Sequence, residues 1–164
     1  MVLYQAIFFD KNNIERLVNM QGEKLENVQE LMHCTFGFCP SEEQINKFSQ
    51  ILGRIITLKV IGYGSDGKNS GFEVELSPEL EEVYANATRK GNKIRPHITV
   101  SMAAGAKAKD TATLQFSPLE EPFEIVGIAG YIEQDKGNGT KQLITRQQKQ
   151  NSNDENEEDQ QTER

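Results

Sequence analysis

From Val2 to Phe9 the chain reads VLYQAIFF, a run of β-branched and aromatic side chains that stops at Asp10, which predicts an N-terminal strand leading into a turn. KNNIERLVNM then has the spacing of a short helix. Between Leu31 and Phe38 the pattern switches to a period of two. Met32, Cys34, Phe36 and Phe38 fall on one face, predicted to be core, and Leu31, His33, Thr35 and Gly37 on the other. Pro40-Ser41-Glu42-Glu43 opens a helix with a capping serine and early acids, Ile45, Phe48, Ile51 and Leu52 give it an apolar stripe, and Gly53 stops it. Residues 54–63 and 71–76 predict a hairpin across GSDGKNS, where Asp66-Gly67 and Asn69 suit a left-handed turn. Ser77-Pro78-Glu79 starts a further helix, predicted to run to Lys90, with Leu80, Val83, Tyr84 and Ala87 on its stripe and Gly91 at its end. In IRPHITVSM, residues 94–102, Pro96, Ile98, Val100 and Met102 alternate with Arg95, His97, Thr99 and Ser101. AAGAKAKDTAT predicts a loop of small residues, and FEIVGIAGYI, residues 123–132, a closing strand. The order is that of an α+β fold built on hairpins rather than on βαβ units.

Composition changes this picture at the C-terminus. QQKQNSNDENEEDQQTER, from Gln147 to Arg164, has no aliphatic or aromatic side chain and cannot bury enough surface to offset the entropy of ordering it. We therefore expect one folded unit over residues 1–135, ending in QDKGNGT, and a disordered polar tail over residues 136–164. The net charge is −7, and the acidity is not confined to the tail, since residues 1–135 hold thirteen basic against nineteen acidic side chains. That balance argues against a broad nucleic-acid-binding face and leaves room for a small phosphate-bearing ligand in a locally basic pocket. Cys34 and Cys39 do not form a CxxC pair, and no signal sequence precedes them, so the expectation is reduced thiols in a cytoplasmic protein. With no apolar run near the roughly 20 residues of a membrane helix, no membrane partner is expected.

The candidate chemistry lies in the histidines. There are two, and each opens a His-x-Thr strand motif, HCTF at 33–36 and HITV at 97–100. Threonine fills nine of 164 positions, so chance would place it two residues after both histidines only about once in three hundred sequences, which makes coincidence a poor account. In a strand, positions i and i+2 project side by side, so each motif presents an imidazole with a hydroxyl. One histidine can take a proton from an attacking water while the other protonates a departing oxygen, and no metal is needed. The threonine hydroxyls of Thr35 and Thr99 can donate to non-bridging phosphate oxygens as their charge grows. Arg95 shares the His97 face by parity and, with Arg89, Lys90 and Lys93, can supply a local positive field.

Other chemistries fit less well. Two histidines without HxH or CxxC supply too few ligands for a metal site. Cys34 lies on the strand face opposite His33, against a Cys-His nucleophilic pair. GYGSDGKNSG matches neither GxxxxGK[ST] nor GxGxxG. Tyr4, Tyr63 and Tyr131 are all suited to stack on a base, and parity does not choose among them.

Paired His-x-Thr motifs in strands some sixty residues apart resemble the 2H phosphoesterases, and HITV preceded by proline is a common form of their second motif. The stretch VIGYGSDGKNSGFEVEL is similar to RNA-repair-like and phage members of that family. The resemblance implies a two-lobed α+β fold with antiparallel sheets lining a central cleft, and an active-site tetrad of His33, Thr35, His97 and Thr99. It implies a cofactor-free cyclic phosphodiesterase whose partner is a small nucleotide or an RNA end. Two alternatives stand beside it: a nuclease for cyclic di- or trinucleotide immune signals, and a nucleotide- or RNA-binding module without turnover.

Overall fold

The computed structural model describes residues 1–85, 88–89 and 92–146. In chain order the elements are β1 (Val2–Phe9), α1 (Lys11–Met20), β2 (Asn27–Val28), β3 (His33–Phe38), α2 (Glu42–Phe48), β4 (Ile55–Ser65), β5 (Asn69–Glu75), α3 (Pro78–Val83), β6 (Thr88–Arg89), β7 (Asn92–Lys93), β8 (His97–Met102), a 3-10 helix (Ala108–Thr113), β9 (Ser117–Gln134) and β10 (Lys141–Ile144). Local chemistry sets the helix starts. The Asp10 carboxylate accepts from the Asn13 backbone N–H at the head of α1, and Ser41 and Gln44 form a reciprocal capping box on α2. Ser77 caps α3, with Pro78 in its first turn.

The strands pair antiparallel throughout, in the order β1-β3-β8-β5-β4-β9, and β9 returns to β1, so six strands close into a barrel. β2 adds to β8, and β10 adds to β9. Cross-strand partners share a face, which makes the core legible from register. Ile7 stands opposite Cys34 and Ala129, Cys34 opposite Ile98, Ile98 opposite Phe72, and Leu58 opposite Ile125. All of these are buried in one apolar cluster, to which α1 adds Leu17, α2 adds Phe48, and α3 adds Leu80 and Val83. Each fully buried Leu, Ile or Phe side chain contributes about 1.5–3 kcal/mol. The join between β3 and β8 is the narrowest in the ring, a single residue pair, Cys34 with Ile98.

Several expectations need correction. The helix predicted to reach Lys90 ends at Val83, because the chain turns extended at Tyr84 and the Ala85 N–H donates to the Phe36 carbonyl at 2.7 Å. Ala87, Lys90 and Gly91, with the segment from Gln147 on, lie outside the described residues. The small-residue loop winds into a 3-10 helix with Thr111 fully buried. Asn69, read as a turn residue, begins β5 and is buried. Beyond residue 135 the chain turns back and contributes β10 to the sheet. α2 ends at Phe48, short of the expected stop at Gly53; turns carry the chain on to Gly53 at φ +82°, where a Cβ would sit 2.7 Å from the Thr145 carbonyl oxygen that follows β10. Among the described residues, no helix is long and apolar enough to cross a membrane.

Candidate active site

Both His-x-Thr motifs carry the same irregularity. Opposite β1, Thr35 pairs with Ala6 and Gly37 with Gln5, so Phe36 is an extra residue. Opposite β5, Thr99 pairs with Gly71 and Ser101 with Ser70, so Val100 is an extra residue. Each strand therefore bulges one position after its threonine, and the alternation of faces resets there. The burial sequences follow suit: His and Thr half-buried with an apolar residue buried between them, then two buried residues in succession. One consequence corrects the strand reading. Met32, Cys34 and Phe36 are core as expected, but Phe38 emerges beyond the bulge on the His33 face and is 69% exposed. Cys39 follows it at φ 47° and turns the chain away.

The register of Cys34 against Ile98 sets the geometry of the pair. In an antiparallel ladder it brings His33 level with Thr99 and Thr35 level with His97, so each imidazole faces the other motif's hydroxyl. All four residues line one cavity of about 370 Å³. Tyr4, Phe38, Tyr84 and Ile94 make its wall largely apolar, and Lys109 also borders it. The ring of Tyr4 stacks on His33 with centroids 4.9 Å apart, and Phe8 tilts against the same imidazole at 5.6 Å. Of Tyr4, Tyr63 and Tyr131, Tyr4 is thus the one that lines the cavity, where Tyr84 joins it. Tyr63 packs on Phe72 and bonds Ser70 through its hydroxyl.

The two imidazoles are held alike. His33 Nδ1 donates to the Leu31 carbonyl at 2.9 Å, and His97 Nδ1 donates to the Arg95 carbonyl at 2.7 Å. A carbonyl only accepts, so the bonded nitrogen carries the proton, and in the neutral ring Nε2 keeps its lone pair. Burial pulls the pKa of both below the ordinary 6.5, the carbonyl bonds oppose the shift, and for His33 the nearby His97 charge adds to it. Burial pushes the Cys34 thiol, between His33 and Thr35, up to about 12, as befits an inert core thiol.

Arg95 does not join the cavity wall. β8 begins only at His97, so the predicted alternation does not extend back to residue 95, and the Arg95 guanidinium pairs with Glu73 at 2.6 Å. Its backbone carbonyl, not its charge, serves His97. Arg89 and Lys93 lie in the short β6-β7 ribbon, beside undescribed Lys90. Lys109, Phe38, Tyr84 and Ile94 are among the wall residues the sequence does not assign to the site. Its periodicity puts Tyr84 in a helical stripe and Phe38 on the core face of an unbulged strand.

Among the described residues, no group of three or more His, Cys, Asp or Glu side chains is placed to hold a metal ion. No family model matches the chain, and no curated protein matches it. Among solved structures it is similar to the crystal structure of E. coli LigT in apo form, at 15% sequence identity and a TM-score of 0.47, over 87% of this chain and 94% of that chain.

Proposed function

We propose that this chain is a metal-independent phosphodiesterase of the 2H type that hydrolyses a cyclic phosphate in a nucleotide or at an RNA end, with its two lobes meeting at the narrow β3-β8 join. The observation that carries the reading is the Cys34-Ile98 register, which sets two imidazoles and two hydroxyls around one cavity. In the reaction, one neutral Nε2 takes a proton from water as the water oxygen bonds to phosphorus. The other histidine, protonated, gives its Nε2 proton to the ribose oxygen as the P–O ring bond breaks. The product is the ring-opened monoester, and the two histidines regain their starting protonation by exchange with solvent. Thr35 and Thr99 hold the non-bridging oxygens, Lys109 offsets their charge, and Tyr4, Phe38 and Tyr84 form the wall against which a base stacks.

Purified protein incubated with EDTA and 2′,3′-cyclic nucleotides, cyclic dinucleotides or RNA ending in a cyclic phosphate is expected to open the 2′,3′-cyclic phosphates. Tight binding of any of these without turnover of any would replace the enzyme by a binding module, and turnover of cyclic dinucleotides alone would reassign the substrate. A requirement for added Zn²⁺ or Mn²⁺ would overturn the metal-independent mechanism.

The pH profile follows from the directions of the histidine shifts. Activity needs one imidazole protonated and one neutral, and both have pKa values below 6.5 in the free protein. As pH rises past that range the acid loses its proton, so kcat/KM should fall on the alkaline side, by about tenfold per unit for a single ionisation. A bound phosphate anion stabilises the imidazolium, so the kcat profile should lie at higher pH than that of kcat/KM. Profiles that coincide and stay flat from about pH 5 to 8 would remove the histidine pair from the mechanism.

A further inference from the structure

The two threonines of the site differ in what lies behind them. Among the described residues the Thr35 hydroxyl has no protein hydrogen bond, whereas Thr99 Oγ1 lies 2.8 Å from Thr111 Oγ1 in the 3-10 helix and 3.4 Å from the Ala108 carbonyl oxygen. Thr111 is fully buried and Asn69 nearly so. Asn69 Nδ2 donates to the Lys107 carbonyl at 2.8 Å and to Thr111 Oγ1 at 3.0 Å. The Lys107 carbonyl can only accept, so it fixes which end of the Asn69 amide points this way. Gly71 makes room for the arrangement: it stands opposite Thr99, and a Cβ there would meet Thr111 Cγ2 at 2.7 Å and the Ile98 carbonyl oxygen at 2.6 Å.

In the free protein Thr99 is the donor, to Thr111 Oγ1 at 2.8 Å and toward the Ala108 carbonyl at 3.4 Å. A bond between two hydroxyls can reverse. An anionic phosphate oxygen is a stronger acceptor than a hydroxyl, so on binding it draws the Thr99 proton into the cavity. Thr111 then donates to the Thr99 oxygen, and the Asn69 N–H on a Thr111 lone pair makes the Thr111 proton a better donor.

We propose that Asn69 and Thr111 are positioning residues, a buried relay that aligns the Thr99 hydroxyl as a donor to the phosphate. This rests on the phosphodiesterase reading above, and concerns one arm of the same site. The relay explains why a residue of apparent turn type is buried at the head of β5 and why the Ala-rich segment before β9 folds into a helical turn over the second motif. Thr35 has no such support and adapts to the substrate once it is bound.

The test uses the full chain with 2′,3′-cyclic AMP as probe. Thr111→Val keeps the shape and removes the hydroxyl, and is expected to lower kcat/KM by roughly tenfold, the scale of one aligned hydrogen bond. Thr111→Ser should restore it to near the wild-type value. If Thr111 acts through Thr99, adding Thr111→Val to Thr99→Val should cost little beyond Thr99→Val alone, a coupling that a merely structural role would not produce. Thr111→Ala, which adds no bulk, covers the case in which the valine variant does not fold, and a melting curve for each variant separates folding from catalysis. Wild-type kcat/KM in folded Thr111→Val or Thr111→Ala, or losses that multiply in the double variant, overturns the relay. His97→Ala distinguishes the two levels: if it abolishes turnover while Thr111 variants do not alter it, the relay alone is wrong, and if it leaves turnover intact, the underlying reading is wrong.

Discussion

Replacing His33 or His97 by alanine is expected to lower kcat by roughly 10²- to 10⁴-fold on the cyclic phosphate that the protein opens, the usual size of a lost general acid or base. KM should change far less, since the phosphate keeps Thr35, Thr99 and Lys109. Each histidine is only half-buried at a cavity edge, so the fold should survive the change. The double variant should lose little more than either single variant, because an acid without its base does no work. Each single variant should also lose one limb of its pH profile, and which limb it loses identifies that residue as acid or base. A kcat reduced by less than about threefold in both single variants would remove the histidines from the chemical step.

The second large effect concerns stability. Phe72→Ala should cost about 3–5 kcal/mol, the range for truncating a fully buried aromatic. Phe72 is fully buried, tilts against Tyr63 at a centroid distance of 5.0 Å, and meets Phe123 edge-on at 5.9 Å. It also stands opposite Ile98, the residue between His97 and Thr99. The cavity left behind would therefore open directly beneath the second motif. Native domains are stable by only about 5–15 kcal/mol, so a loss of this size consumes a large fraction of the total. Urea titration of wild type and variant measures it, and a difference below about 1 kcal/mol would mean that the barrel interior repacks around the gap.

Helix starts were legible because caps are local: Ser41 with Gln44, and Ser77 with Pro78, need no distant partner. Helix ends were less so. The 77–90 stripe continues past Val83, but the Ala85 N–H is taken by the Phe36 carbonyl, a contact nearly fifty residues away in sequence. Phe38 shows the same limit in a strand. Perfect alternation makes it core, and a single extra residue at Phe36 puts it on the cavity wall. Arg95 looked cationic and well placed, yet the Glu73 carboxylate captures it, while Lys109 on a segment read as loop reaches the cavity.

The sequence alone determined that each histidine would present a threonine beside it, because the pleat repeats every two residues and both motifs lie in strands. It also determined that Cys34 and Ile98, between the members of each pair, would turn away into apolar surroundings. Only the tertiary structure decided that those two residues are cross-strand partners, which brings the two hydroxyl-imidazole pairs together. It alone decided that both strands bulge after the threonine and that a buried asparagine and threonine stand behind Thr99. Period and capping depend on neighbours a few residues away, whereas register, bulges and buried hydrogen-bond chains depend on which distant strand arrives alongside.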